Sequence, residues 1–245
     1  MEVHHHAHTS RKKWTHYFWE FLMLFLAVTL GFFVENQREH YIEHRREKQF
    51  IASLLNDLGL DTITLNAVIS ARVERTKNID SALFPLTKLA TDRLPSGLYS
   101  NLYNSMFGLY FFPNNGTVTQ LKSSGGLRLI RKRYVVDSVE SYDQQVRRLM
   151  VRQDDDRILC SEYQRILFRL LSGKDVFDTF YDSTYAVRSA TPERTIKIDR
   201  TYLTEIINHL LHLRNQTRYD NYVALFAKQK ARVMIEFLKK EYRLK

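Results

Sequence analysis

Between Tyr17 and Val34 the chain reads YFWEFLMLFLAVTLGFFV, apolar except for Glu20 and Thr29 and free of proline. Eighteen helical residues reach about 27 Å at ~1.5 Å per residue, close to the ~30 Å hydrocarbon thickness of a bilayer. A run of this length is read as a membrane span rather than a core helix. The main rival is a cleaved signal peptide, with Arg11, Lys12 and Lys13 as its charged start. Such apolar regions are usually ~7–15 residues and end at a small-x-small site. Here the nearest match is Thr29-Leu30-Gly31, and Phe32-Phe33-Val34 runs straight through it. An uncleaved anchor is the expectation. Trp14, Tyr17 and Trp19 stand at its N-terminal edge, where amphipathic rings favour the headgroup region.

Orientation follows from flanking Lys and Arg. Arg11 to Lys13 lie close to one edge; Arg38, Arg45, Arg46 and Lys48 are spread beyond the other. The tight N-terminal cluster predicts a cytoplasmic N-terminus and a C-terminal domain across the membrane.

Roughly 210 residues follow the span, enough for one domain with a true core or two small ones. Glycine and proline number only 8 and 4, which suits an all-α chain. The single cysteine, Cys160, excludes an intramolecular disulfide and is expected to be a small core residue. The net charge of +10 admits nucleic acid, anionic lipid or an acidic partner. The densest basic cluster, Arg128, Arg131, Lys132 and Arg133, lacks a recognised nucleic-acid motif and reads as a solvated helix face. No nucleic-acid partner is expected.

The apolar spacing predicts the architecture. Residues 1–16 form a disordered His-rich and basic tail, 17–34 the transmembrane helix, 35–48 a charged helical stalk and 49–245 a helical bundle domain. Phe50, Ile51, Leu54, Leu55, Leu58, Leu65, Val68, Ile69 and Val73 recur at three- and four-residue spacing, so the span continues as a long helix to about Leu83, before Pro85. A short aromatic helix is expected over 98–111. Pro113 to Gly116 reads as a turn in which asparagine and glycine tolerate positive φ, with Thr117 capping a short helix that Gly125-Gly126 ends. A long helix is expected over 132–171, closed by Ser172-Gly173. Residues 174–198 are expected to be irregular, with one turn over 176–181. Asp199 or Thr201 caps a final segment, either one helix or two broken near Asn215. These elements bury one another best as an extramembrane antiparallel helical bundle.

Three features occur together: the anchor running into a long helix, the central TVTQLKSSGGLRLIRKRYVVDSVESYDQQ, and the terminal AKQKARVMIEFLKKEYRLK. The combination resembles a family of single-pass inner-membrane proteins, a domain of unknown function common in Bacteroidetes. The matching positions are Thr117, Leu121, Ser124, Gly125, Leu127, Leu129, Ile130 and Tyr142. The chain departs from the pattern in the basic Arg131 to Arg133 and in having one tyrosine rather than a pair. The resemblance implies the same architecture and a bacterial inner membrane. It supplies no activity and no catalytic residues.

Few positions invite chemistry. His4, His5, His6 and His8 carry imidazoles suited to zinc, nickel or copper, but their spacing matches no structural zinc pattern, and a polar tail is the expectation. Asp154-Asp155-Asp156 point in different directions on a helix, which is poor ligand spacing, and read as surface charge. Glu20 lies inside the span with His16 one turn earlier, an interfacial pair or a contact to a partner's span. Ala27 and Gly31 have small-xxx-small spacing, which lets helices approach closely. No phosphate-binding glycine loop, nucleophile elbow or HExxH is present, so no enzyme, catalytic residue, cofactor or metal is expected.

The expected function is a structural or partner-docking component of the cell envelope. Its partners would be the lipid bilayer and a membrane protein or a second copy bound through the span. The rival is a ligand-sensing periplasmic bundle that signals through a partner. An apolar pocket at Tyr99, Tyr103 and Phe107 would favour sensing; a solid core with an exposed apolar strip would favour docking.

Overall fold

A computed structural model describes residues 14–171 and 196–244. The His-rich tail, Ser172-Gly173 and the turn expected over 176–181 lie outside the described residues. The fold is all-α. The chain separates into two units, one ending at Gln49 and one beginning at Phe50. Helix α1 (Trp14–Thr87) contributes to both.

In the first unit, α1 carries the apolar run. It is long and apolar enough to cross a membrane, and none of its most apolar stretch is buried in the protein. From Trp14 to Val34 every side chain but that of Leu22 is exposed. The core helix of a soluble protein would bury much of such a surface. His16 Nε2 and Glu20 Oε1 lie 3.7 Å apart across one turn. Beyond the run, Glu35 accepts two hydrogen bonds from Arg38.

In the second unit, the rest of α1 packs with α4 (Arg133–Leu170) and α5 (Arg200–Tyr242). Between α1 and α4 lie β1 (Arg93–Leu94), α2 (Tyr99–Asn104) and α3 (Gly116–Ser123). β2 (Ile196–Lys197) pairs antiparallel with β1. Cross-helix bonds fix the directions. Asp61 meets Tyr142 and Arg75 meets Asp156, so α1 and α4 run parallel. Ser141 meets Lys230, and Arg152 meets Asp220, so α5 runs antiparallel to α4. Arg72 reaches Asp220 and Lys228 reaches Asn66, so α5 runs antiparallel to α1 as well. The antiparallel packing therefore comes from α5, and the segment between α1 and α4 carries the chain back to the starting end.

Several boundaries differ from the expected ones, each for a local reason. α1 extends through Pro85 to Thr87. Proline forfeits one hydrogen bond and crowds the previous turn, which is tolerable here because the helix ends two residues later. The aromatic helix is only Tyr99–Asn104, because the chain then extends to reach α4: Phe111 N–H donates to Gln153 Oε1 at 2.7 Å, and Gln153 Nε2 donates to Phe111 O at 3.0 Å. α3 starts at Gly116 with Asn115 as N-cap, and Asn115 has φ −103° rather than a positive value. Carboxylates on α1 do the capping instead. Asp57 accepts from Thr117 N–H, and Asp61 Oδ1 accepts from Asn114 N–H and Nδ2. Gly125 does adopt the left-handed conformation, at φ +66°, as a residue ending α3 should. α5 is unbroken through Asn215, and Asp199 caps it by accepting from Tyr202 N–H. Residues 196–197 form a strand rather than irregular chain.

Candidate functional site: a buried polar layer and the groove beside it

The bundle core is two apolar clusters rather than one. The first joins Leu54, Leu58 and Leu65 of α1 to Val139, Leu149 and Ala227 of the other long helices. The second joins Ile79 and Leu83 to Leu159, Tyr163, Leu210 and Leu213. Between them α1 presents two buried arginines, Arg72 and Arg75. Facing them are Gln153 and Asp156 of α4 and Thr217 and Asp220 of α5, all buried.

Charges this deep are stable only when paired and hydrogen-bonded. Arg75 Nη1 donates to both oxygens of Asp156 at 2.9 Å, Nε to Ser105 O at 2.9 Å, and Nη2 contacts Cys160 Sγ at 2.6 Å. Burial pushes against the Arg75 charge, but Asp156 and Cys160 outweigh it and raise its pKa above the ordinary value. Tyr110 OH donates to Asp156 Oδ2 at 3.1 Å. Arg72 Nη1 donates to the Asp220 backbone carbonyl at 2.8 Å, and burial lowers its pKa. Asp220 is pushed up by burial, against the pull of Arg72 and Arg152. Arg152 Nε donates to Asp220 Oδ1 at 3.1 Å, and its guanidinium lies 4.9 Å from the centre of the Tyr219 ring.

Asp156 is therefore the exception in the aspartate triplet. Asp154 and Asp155 are exposed and paired with Arg157 and Arg152, whereas Asp156 is interior. Cys160 is half-buried where this layer meets the second apolar cluster, against which it packs, and burial raises its thiol pKa. The thiol stays protonated near neutrality, which makes it a poor nucleophile. Each nitrogen of the Arg75 guanidinium contacts a protein group. Such a layer locks helix register.

A surface feature lies against the first cluster. Between α4 and α5 a mostly apolar groove of about 520 Å³ opens to solvent. Phe226, Val233, Met234 and Phe237 of α5 form one wall; Ser138, Ser141 and Tyr142 of α4 form the floor and the other wall. The groove exists because α4 places small serines opposite large α5 side chains. Phe226 is 44% exposed and Val233 58%. The strip continues along α5 through Tyr222 and Tyr219, both also exposed, whose rings lie 6.5 Å apart. Lys230 borders it, donating to Ser141 Oγ at 2.7 Å and lying 5.4 Å from the Phe226 ring centre.

The aromatic residues expected to mark a pocket do not act as a set. Tyr99 is buried in the second cluster with its hydroxyl toward Leu94 O, while Phe107 is exposed and packs edge-on to Tyr103. Among the described residues no group of three or more His, Cys, Asp or Glu side chains converges as a metal site. The basic cluster is partly spent on structure, with Lys132 bound to Glu241 and Arg133 to Asp137. The groove escaped sequence reasoning, because the apolar residues of α5 from Tyr219 to Leu238 do not all share one face. Val223, Met234 and Leu238 face the core, and Tyr219, Tyr222, Phe226 and Val233 do not. The available signal was that these residues are spread too widely for one buried face.

No family model, curated protein or solved structure matches this chain.

Proposed function

We propose that the chain is a membrane-anchored docking component of the bacterial cell envelope, without enzymatic activity of its own. The apolar run of α1 is its single span, and the bundle presents the α4–α5 groove to a partner. In this reading the N-terminus is cytoplasmic, because Arg11, Lys12 and Lys13 crowd that edge, and the bundle is periplasmic. The resemblance to the Bacteroidetes inner-membrane family supports the same address.

The observation that carries the reading is the exposed strip Tyr219, Tyr222, Phe226 and Val233 on α5. Leaving such side chains in water forgoes roughly 1.5–3 kcal/mol each in full burial. Tyrosine and arginine are the residues that dominate binding interfaces, and Arg152 stacked on Tyr219 fits that pattern.

The test is a crosslinked pull-down from native membranes with wild type, Val233→Asp and Glu20→Leu. A specific partner that Val233→Asp loses assigns recognition to the groove. A partner lost only in Glu20→Leu moves recognition to the span. Recovery of the protein alone, unchanged by either substitution, sinks the docking reading.

A further inference from the structure

Resting on the docking reading, we infer that the occupant of the α4–α5 groove is an amphipathic helix of a second protein whose apolar stripe is bordered by acidic residues. The apolar half of the inference comes from spacing. Tyr219, Tyr222, Phe226, Val233 and Phe237 of α5 repeat at three-, four- and seven-residue intervals, so they form a ridge parallel to the groove. A partner helix matches such a ridge with its own i, i+3, i+4, i+7 anchors. A straight groove between two antiparallel helices takes a third helix far better than it takes a strand, whose period of two would not follow the ridge.

The acidic half comes from charge. Among the described residues Lys230, at the middle of the groove, donates to neutral oxygens of Ser141 and lies over the Phe226 ring. Arg148, two turns along α4 from Ser141, is exposed on the same border. Of the acids near the groove, Asp137 in its lining accepts from Arg133 and Asp155 accepts from Arg152, while exposed Glu236 lies one turn from Val233 on α5, leaving Lys230 and Arg148 in excess. What the border offers a newcomer is therefore cationic. The same asymmetry disfavours a second copy of this chain. A twofold contact through this face would bring Lys230 and Arg148 toward their own equivalents.

The experiment places a photo-crosslinking amino acid at Val233 of the full membrane-anchored chain, with Arg232 as an exposed control position. Crosslinked segments are identified from native membranes by mass spectrometry. The corresponding synthetic peptide is then titrated against the purified chain and the Lys230→Glu/Arg148→Glu variant. The expected result is one segment with helical apolar spacing and an excess of Asp and Glu. Its affinity should fall about tenfold or more in the charge-reversed variant. Both substitutions are at exposed or half-buried polar positions, and circular dichroism verifies that the variant folds. A crosslinked segment that is basic or lacks helical spacing overturns the inference and leaves the docking reading standing. So does a second copy of this chain. No crosslink above the Arg232 control overturns both.

Discussion

Removing the Arg75 side chain tests whether the polar layer is as tightly coupled as its geometry states. Arg75 and Asp156 are 2% and 5% exposed, and one guanidinium nitrogen contacts both carboxylate oxygens at 2.9 Å. Arg75→Met keeps most of the volume but strands an anion in the interior and deprives Ser105 O of its donor. Breaking a buried pair from one side costs about 3–5 kcal/mol. Asp156→Leu strands the guanidinium instead and should cost a similar amount. The double variant removes both charges together, and replacing an intact buried pair by apolar groups is about neutral or stabilising. What remains lost are the hydrogen bonds of two neutral oxygens, Ser105 O and Tyr110 OH, at about 1 kcal/mol each, the Cys160 thiol being a weak partner. The double variant should therefore lie within about 2 kcal/mol of wild type although each single costs more. The implied coupling is about 4 kcal/mol or greater, well beyond the ~0.5 kcal/mol of independent sites. The assay is urea unfolding of the full chain in mild detergent, followed by circular dichroism. Additive losses, with the double near 6–10 kcal/mol, would refute the layer as a coupled unit.

Alkaline stability and the αL glycine give two further tests. Tyr142 and Tyr163 are buried, and burial, helped for Tyr142 by Asp61, raises both phenol pKa values. A raised pKa stabilises fully below the unfolded value of ~10, and the contribution is lost as pH rises above it, because only the unfolded chain releases the protons. Each such phenol should cost about 1.4 kcal/mol per pH unit above ~10, so Tyr142→Phe should lower the slope by about that amount; unfolding curves between pH 9 and 11 check it. At Gly125, φ is +66° and the nearest atom to an added Cβ is Arg128 Nε at 3.9 Å, so strain rather than clash sets the effect. Gly125→Ala should cost about 1–2 kcal/mol in the same urea assay and Gly125→Asn less, and equal losses would point to packing instead.

The parts legible in sequence were those decided by local periodicity. The run Tyr17 to Val34, the three- and four-residue spacing of Ile51 to Val68 and the capping side chain of Asp199 each express a rule that needs no tertiary partner. What escaped reading depends on residues far apart. Asp156 looks like its exposed neighbours until Arg75 arrives from 81 positions away. Gln153 ends the aromatic helix early by taking both backbone groups of Phe111. Asp57 and Asp61 replace the expected cap of α3 because α1 passes beside its start. Ser138 and Ser141 become part of a groove only when Phe226 and Val233 are placed opposite.

The layer and the groove explain each other. A buried ion-pair layer contributes little net stability against an apolar core of the same shape, so its presence calls for another reason. Leucine-rich helices slide past one another at small cost, because one apolar contact resembles the next. The pairs Arg72–Gln153, Arg75–Asp156 and Arg152–Asp220 cannot slide. Moving α4 by one turn, about 5.4 Å, would leave each charge buried and unpaired. It would also carry Ser138 and Ser141 away from Phe226 and Val233, and Lys230 away from Ser141, closing the groove. Arg152 joins the two directly, with its guanidinium bonded to buried Asp220 on one side and lying over exposed Tyr219 on the other. A partner that covers Tyr219 also shields the Arg152–Asp220 pair from water, which strengthens the pair. By reciprocity, whatever loosens that pair weakens the partner's hold by the same free energy.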